Sequence, residues 1–176
     1  AARFRVPVGA PHKWTAETPH LYTLVLILKN PVGEAVDFES CRVGFRQVDI
    51  RDGILRLNGK RLVLCGVNDH EHHPERGRAL TRDDMREELV AMKRLNFNAV
   101  RTSHYPHHST FYDLCDELGL YVVDESNLET HGIQAQITKD PLWMNAFMER
   151  AQRMALRDRN HPCVIAWSLG NESYYG

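Results

Sequence analysis

The chain has 176 residues, of which 43% are hydrophobic and 26% are charged, and its formal net charge is -1. This length allows one large or two small domains with a buried core, and the composition is typical of a globular protein. A net charge near zero gives no electrostatic attraction to nucleic acid or to an anionic membrane, so we expect neither as a partner. No apolar run approaches the roughly 20 residues that span a bilayer.

The first residues, "AARFRVPVGAPHKW", lack an initial Met and a hydrophobic signal core, so we interpret them as the interior of a longer chain. The four cysteines are widely spaced among apolar neighbours and form no CxxC pair. We therefore expect buried free thiols in a reducing compartment such as the cytoplasm. These cysteines are Cys41, Cys65, Cys115 and Cys163.

Residues 1–50 are predicted to form β structure, as the closing strands of a sandwich. "LYTLVLILKN" alternates and then becomes continuously apolar, whereas "VDFESCRVGF" changes phase, which predicts a β-bulge near Glu39 and Ser40. An Asp-Gly pair at 52–53 and an Asn-Gly pair at 58–59 then predict two hairpin turns near a domain boundary.

From Arg61 onward, apolar strands alternate with amphipathic segments. "RLVLCGV", "FNAVRTSH", "LYVVDES" and "CVIAWSLGNE" are predicted strands, the first of them a buried one. Thr81 caps the first intervening helix, Gly119 ends the second and Asp140 begins the third. We expect the inner face of the third helix to consist of Trp143, Phe147, Ala151 and Met154.

This β-α-β-α-β-α-β order predicts parallel strands with right-handed crossovers. Either an open doubly wound sheet or a (β/α)8 barrel satisfies the pattern. "GVNDHEHH", after the first of these strands, contains neither GxGxxG nor GxxxxGKS, which is unfavourable to nucleotide binding.

Polar, titratable residues follow all four strands. A single Asn-Glu pair is more often a helix cap, and a single histidine is more often structural, but the carboxyl ends of parallel strands share one face. Their coincidence on that face favours a functional site. The residues are Asn68, Asp69, His70 and Glu71; Arg101, Ser103 and His104; Asp124, Glu125, Glu129 and His131; and Asn171 and Glu172.

The side-chain types in this set favour a hard cation over zinc. HExxH is absent, and carboxylates with a single histidine suit Mg²⁺. The imidazoles of "HEHH" suit a pocket for a polyhydroxylated ligand. Trp167, just before the last polar cluster, is either a sugar-stacking platform or barrel core, and its position in a strand favours core.

Four long motifs resemble, in order and spacing, those of family 2 glycoside hydrolases, and within that family those of the large bacterial β-galactosidases. The motifs are "GVNDHEHHP", "NFNAVRTSHYPHH", "GLYVVDESNLETHG" and "DRNHPCVIAWSLGNES", and "WTAETPHLY" matches in the N-terminal part. The resemblance implies an α/β fold, with an immunoglobulin-like β-sandwich over 1–50 and the first four strands of a (β/α)8 TIM barrel over 51–176. It also implies a bacterial cytoplasmic homo-oligomer that hydrolyses terminal non-reducing β-D-galactose residues of lactose-like β-galactosides with retention.

The resemblance also implies roles for individual residues. Glu172 matches the general acid/base, Asn171 its neighbour that contacts the sugar 2-hydroxyl, and Arg101 the residue that orients the nucleophile. The matching pair for transition-state stabilisation is His70 and His104. The matching Mg²⁺ ligands are Glu129, His131 and Glu172, and Na⁺ would be held by residues outside this chain.

Retaining hydrolysis needs two carboxyls roughly 5–5.5 Å apart. The resemblance places the nucleophile at the end of a seventh strand, so we expect no turnover by this chain alone. The alternatives are a β-glucuronidase or β-mannosidase of the same family, a non-catalytic carbohydrate-binding module, and a histidine-rich metal-binding protein. "HEHH" and "ETHG" favour the galactosidase.

Overall fold

The computed structural model describes residues 3–174, with nine β-strands and three α-helices among them. None of these helices is both long and apolar enough to cross a membrane. The strands are β1 Tyr22–Lys29, β2 Ala35–Val43, β3 Val48–Arg51, β4 Ile54–Leu57, β5 Lys60–Arg61, β6 Gly66–Asp69, β7 Ala99–Thr102, β8 Tyr121–Glu125 and β9 Val164–Ser168. The helices are α1 Arg82–Arg94, α2 Ser109–Leu118 and α3 Met144–Asp158, the last preceded by a 3₁₀ turn, Pro141–Trp143.

Strands β1 and β2 form an antiparallel two-stranded sheet whose irregularity lies elsewhere than predicted. The register is regular through Glu39 and Ser40 and shifts between Leu28 and Lys29, which leaves Val36 as the extra residue. Both faces of this sheet are exposed within the described residues. The phase of its apolar residues is therefore not set by burial of one face here, which is why the phase change did not locate the bulge.

The prediction of four buried thiols is wrong for two cysteines. All four are free, but only Cys115 and Cys163 are buried, and burial raises the pKa of both thiols well above the usual value. Cys41 is exposed because it lies on the two-stranded sheet, and Cys65 is exposed because it precedes an edge strand.

Two predicted hairpin turns are confirmed. The β3–β4 turn has positive φ at both Asp52 and Gly53, and the β4–β5 turn has positive φ at both Asn58 and Gly59. Two successive positive φ values define a type I′ turn, whose twist matches that of the flanking strands.

The second part of the chain is α/β. Strands β6, β7, β8 and β9 pair in this order, each parallel to the next, and α1, α2 and α3 connect them. The first of these strands begins at Gly66, later than predicted, and is only partly buried. It has a single neighbouring strand among residues 3–174, so one side of it is not covered.

Helix α1 contributes the predicted residues to the hydrophobic core. Thr81 and Asp84 form a reciprocal capping box, and Met85, Leu89 and Met92 are buried on one face. The capping box satisfies backbone donors at the start of the helix, so its first residue is defined locally.

The predicted inner face of α3 and the predicted core position of Trp167 are only partly right. Met154 is buried, but Trp143 is 43% exposed and Trp167 is 42% exposed. Trp167 lies on β9, an edge strand of the sheet among the described residues, so its indole has no covering layer there. Asp140 does accept a hydrogen bond from the backbone N–H of Leu142. The element that it caps is the 3₁₀ turn Pro141–Trp143, and α3 begins only after that turn.

The N-terminal segment is anchored in the α/β part by Trp14. Its side chain is 0% exposed, its Nε1 donates to the carbonyl of Asp116 at 3.0 Å, and its ring packs edge-on to Tyr121 at 5.7 Å. The ammonium of Lys93 donates to the carbonyls of both Ala16 and Gly119. Residues far apart in sequence therefore share one core.

A buried acidic network lies below the carboxyl ends of the strands. Asp124, 0% exposed, accepts from the Tyr112 hydroxyl at 2.7 Å, while Asp158 forms an ion pair with Arg157 at 2.6 Å. Burial, opposed by the Tyr112 hydrogen bond and reinforced by the Asp158 charge, raises the pKa of Asp124 to about 7. The native state therefore keeps a proton that the unfolded chain loses near pH 4.

Gly119→Ala tests the close contact between the backbone at the end of α2 and the backbone of Ala16. Gly119 has φ +77°, and a Cβ at this position would lie 2.3 Å from the carbonyl oxygen of Ala16. The substitution is expected to lower the free energy of unfolding by about 1–3 kcal/mol, as strain and a clash with backbone add. Urea unfolding measures it, with Gly9→Ala as the control because nothing lies within 4 Å of that Cβ. Equal effects of the two substitutions would contradict the role of the contact.

Asp124→Asn tests the retained proton. Because the pKa of Asp124 is raised by folding, its contribution to stability is complete below about pH 4 and is lost as the pH rises toward about 7. The amide cannot ionise, so the variant is expected to lose less stability than the wild type between pH 5 and pH 8. Urea-unfolding midpoints at both pH values measure this. Asp37→Asn, at an exposed position on β2, is expected to keep the wild-type slope, and an unchanged slope in Asp124→Asn would refute the assignment.

Candidate active site

The carboxyl ends of the four parallel strands bring together most of the predicted polar residues. Asn68 pairs in register with Arg101 on the neighbouring strand, and Glu125 pairs with Ser168. Residues at the same level of adjacent parallel strands have neighbouring side chains. The predicted convergence of polar groups on one face is therefore confirmed for these strands.

Arg101 is at the centre of this face. Its Nε and Nη2 both lie 2.7 Å from Oε2 of Glu125, and Nη2 donates to Oδ1 of Asn171 at 2.9 Å. Its Nη1 donates to Oδ1 of Asn68 at a longer 3.4 Å. One guanidinium thus links residues that follow or belong to all four strands.

His104 and His70 lie beside this ion pair. The Nδ1 of His104 is 2.7 Å from Oε1 of Glu125, and its ring contacts that of His70 edge-on at a centroid distance of 5.3 Å. The ring of Tyr105 also lies near that of His70, at a centroid distance of 6.0 Å. The two predicted histidines are therefore adjacent, as a shared contact with one ligand requires.

Glu125 was not assigned a role from the sequence, although it was noted at the end of its strand. Its side chain is 0% exposed and accepts from Ser168 Oγ at 2.6 Å, while its backbone N–H donates to Thr102 Oγ1 at 2.9 Å. Burial alone would raise the pKa of Glu125, but hydrogen bonds from Ser168, His104 and Arg101 outweigh it and hold that pKa below the usual value. Glu125 is therefore ionised at neutral pH.

The loop after β8 lies against the segment after β9. Asn171 donates from Nδ2 to Oε1 of Glu129 at 3.1 Å and from its backbone to the carbonyl of Leu128 at 2.8 Å. His131 Nδ1 contacts the Glu172 carboxylate, and these two side chains are 73% and 55% exposed. Glu172 itself has a positive φ of 45°.

The predicted metal ligands are only partly brought together. Among the described residues, one group of three His, Cys, Asp or Glu side chains has all its ligand atoms within 4.8 Å of one another, and it is Asp116, His161 and Cys163. Of the predicted set, His131 and Glu172 are in contact, whereas Glu129 binds Asn171 instead. The donor types, two carboxylates and one imidazole, nevertheless suit a divalent cation.

The Asp116 group is a hydrogen-bonded structural cluster at the opposite end of β9. Asp116 accepts from His161 Nδ1 at 2.7 Å and from the backbone N–H of Cys163 at 2.8 Å. Burial alone would lower the pKa of His161, but Asp116 outweighs burial and raises it. Because burial keeps the Cys163 thiol protonated, the cluster satisfies its own polar groups without an ion.

A second network that sequence reasoning missed supports the His70 end of the site. Asp69 Oδ2 lies 3.0 Å from Nε2 of His107, and both side chains are almost fully buried. Burial and the charge of Asp69 raise the pKa of Glu88 to about 8. Spacing could not reveal this network, because its members are on β6, α1 and the loop before α2.

Comparison with known proteins assigns the chain to a family. Residues 48–176 match the model of the TIM barrel domain of glycosyl hydrolases family 2, and residues 2–46 match a second model, glycosyl hydrolases family 2. A β-galactosidase of Pectobacterium atrosepticum is 54% identical over 177 residues, which are 99% of this chain and 17% of that protein. One of Vibrio vulnificus is 55% identical over 168 residues, 94% of this chain and 16% of that protein.

Solved structures agree on the fold. A β-glucuronidase of Ruminococcus gnavus in complex with C6-substituted uronic isofagomine is 30% identical with a TM-score of 0.87, over 94% of this chain and 28% of that one. A family 2 β-galacturonidase of Eisenbergiella tayi bound to galacturonate is 33% identical with a TM-score of 0.83, over 92% and 28%. The chain thus spans about one sixth of the length of the β-galactosidases it matches. Since the TIM barrel domain match alone covers residues 48–176, this chain belongs to glycosyl hydrolases family 2, close in sequence to its β-galactosidases.

Proposed function

We propose that this chain carries the acid/base side of the active site of a retaining β-galactosidase that releases terminal β-D-galactose. The observation that carries the proposal is the Arg101–Glu125 pair at the strand ends, which joins His104 to Asn171, the neighbour of Glu172. The 54% identity to β-galactosidases supports galactose as the sugar.

Glu172 is the proposed general acid/base. Its carboxylate is 55% exposed, so it is free to donate a proton to the leaving oxygen and later to accept one from water. Glu125 cannot take this role, since both of its oxygens are engaged in hydrogen bonds and its side chain is 0% exposed. The nucleophilic carboxyl is proposed to come from a part of the enzyme beyond these residues, as is any Na⁺ site.

The remaining polar groups bind and orient the sugar in this proposal. Asn171 is fixed by Arg101 and Glu129, which holds its amide ready for the 2-hydroxyl. His70 and His104, with their rings 5.3 Å apart, contact further hydroxyls of the sugar. Hydrogen bonds that strengthen in the oxocarbenium-like transition state accelerate the reaction.

Mg²⁺ is the proposed metal, held by Glu129, His131 and Glu172. The contact between His131 and Glu172, together with the nearby Glu129–Asn171 hydrogen bond, supports this set of oxygen and nitrogen donors. When bound, the ion would supply a fixed positive charge that positions the Glu172 carboxylate. The residues themselves carry out the proton transfer.

The finer architecture is also a proposal. We propose that residues 51–176 form the first four strands of an eight-stranded barrel and that residues 1–50 belong to an immunoglobulin-like sandwich. Edge strands β6 and β9, each with one neighbour among residues 3–174, suit a sheet that continues on both sides. Turnover would then need the rest of the enzyme, a cytoplasmic homo-oligomer in this proposal.

A uronic acid glycoside is the second candidate substrate. Its support is the similarity to a β-glucuronidase and a β-galacturonidase at 30% and 33% identity. The β-galactosidases are more similar in sequence, at 54–55%, so galactose is preferred.

Assays of the full-length enzyme on nitrophenyl β-galactoside, β-glucuronide and β-mannoside distinguish these candidates. Hydrolysis of the galactoside is expected to dominate. Glu172→Gln should lower kcat/KM about 10²–10⁴-fold on lactose, because protonation of the leaving oxygen is lost. The loss should be smaller with a dinitrophenyl leaving group, which departs without protonation.

Glu149→Gln is the matched control, since Glu149 is an exposed glutamate on α3 paired with Arg153. It should keep wild-type kinetics. A Glu172→Gln enzyme with wild-type turnover would contradict the acid/base role, and sugar binding without any turnover by the wild type would indicate the carbohydrate-binding module.

Chelation tests the metal. Removal of Mg²⁺ with EDTA is expected to lower kcat and to change the pH–rate profile, and added MgCl₂ should restore both. Glu129→Gln should need about 10–100-fold more Mg²⁺ for half-maximal activity, as expected for loss of a ligand. If chelation leaves rate and pH profile as they were, the metal has no part in positioning Glu172.

A further inference from the structure

We infer that Glu125 is a positioning residue of the active site, whose buried carboxylate holds Arg101 and fixes the tautomer of His104. The inference rests on the proposed function and adds a residue to it. Glu125 is the only one of these three side chains that has no exposure, so it acts through the other two.

The carboxylate of Glu125 has no unused oxygen. Oε1 is 2.7 Å from His104 Nδ1, and Oε2 accepts from Arg101 at 2.7 Å and from Ser168 at 2.6 Å. Thr102 fixes the backbone at the same position by accepting the N–H of Glu125 at 2.9 Å. Glu125, on β8, is therefore held by groups on or just after β7 and on β9.

This arrangement decides which nitrogen of His104 carries the proton. Arg101 Nη2, 3.4 Å from Nδ1, can only donate, and the Glu125 carboxylate, 2.7 Å from Nδ1, can only accept. The shorter contact is satisfied when Nδ1 carries hydrogen. In the neutral ring Nε2 is then a hydrogen-bond acceptor, which suits the proton of a sugar hydroxyl.

The same carboxylate directs the guanidinium of Arg101. Oε2 of Glu125 accepts from Nε and lies 2.7 Å from Nη2 of Arg101. This leaves Nη2 to donate also to Asn171 and Nη1 to donate to Asn68. Arg101 is 29% exposed, so part of the guanidinium reaches the open face of the site. Without the carboxylate, the guanidinium would keep its hydrogen bonds to the amide oxygens of Asn171 and Asn68 but would lose its only ionic partner among these contacts.

A purely stabilising role explains the arrangement less well. Desolvation of a buried ion pair commonly costs as much as its attraction returns, so such a pair is weak support for stability. In barrels, polar residues at the carboxyl ends of strands serve the active site, whereas stability is concentrated at the other end. Glu125 is the last residue of β8.

The test is Glu125→Gln in the full-length enzyme. The amide keeps the volume but places an NH₂ against either Arg101 or the Nδ1–H of His104. We expect kcat/KM for nitrophenyl galactoside to fall about 10²-fold, mainly in kcat, because misplaced groups lose transition-state contacts. Asp158→Asn is the matched control: it changes another buried carboxylate bound by an arginine, and its partners are Arg157 and Asp124 rather than Arg101 or His104. It should leave kcat/KM within about threefold of the wild type.

A double-mutant cycle with His104→Ala separates positioning from general damage. If Glu125 acts partly through His104, the double variant should lose less than the product of the two single losses, by about tenfold or more. Losses that multiply would overturn the inference, as would a Glu125→Gln enzyme within about threefold of wild-type kcat/KM.

If Glu125→Gln does not fold, Ser168→Ala removes one hydrogen bond to the same carboxylate. A lowered kcat at unchanged melting temperature in Ser168→Ala then supports the inference, and wild-type kinetics overturn it. A wild-type enzyme without activity on any of the three glycosides contradicts the proposed function itself, whereas an active wild type with a Glu125→Gln variant within about threefold of its kcat/KM contradicts only the role of Glu125.

Discussion

The ion pair between Arg101 and Glu125 is the interaction on which the arrangement of the site depends. Four strands end at this face, and each has a polar side chain at or just after its end. One carboxylate and one guanidinium contact residues from all of them, with distances of 2.6–2.9 Å for the hydrogen bonds to Ser168, His104 and Asn171. The sheet provides the register, and the ion pair fixes the side chains within it.

The fold can bury this ion pair only because polar neighbours supply a hydrogen bond to each oxygen of the carboxylate. A carboxylate with no exposure needs a donor for each oxygen, or its desolvation would destabilise the fold. Glu125 has three such donors, and their combined effect holds its pKa below the usual value despite burial. By contrast, Asp124, the residue before it, has a raised pKa because burial and the nearby Asp158 outweigh its one hydroxyl donor. The pKa values of these two adjacent carboxyls are thus shifted in opposite directions, each for a stated physical reason.

Local sequence patterns predicted the secondary-structure elements well but predicted poorly which side chains contact each other across them. The capping box at Thr81, the left-handed Gly119 and the two type I′ turns depend on neighbouring residues, so the sequence reveals them. The alternation of strands with helices also predicted the parallel sheet and the end of it at which the polar residues lie. The role of Glu125 depends on contacts with β7 and β9, which no spacing encodes, and the exposure of Trp167 depends on what covers an edge strand.

The burial of Trp14 has a consequence for how the chain divides. Its indole fills space beside Tyr121 and donates to Asp116. A cut at the predicted boundary near residue 50 would remove this indole and leave a void of aromatic size, a loss that typically costs about 3–5 kcal/mol. The segment around Trp14 is therefore expected to unfold together with the α/β part, although the motifs mark a boundary near residue 50.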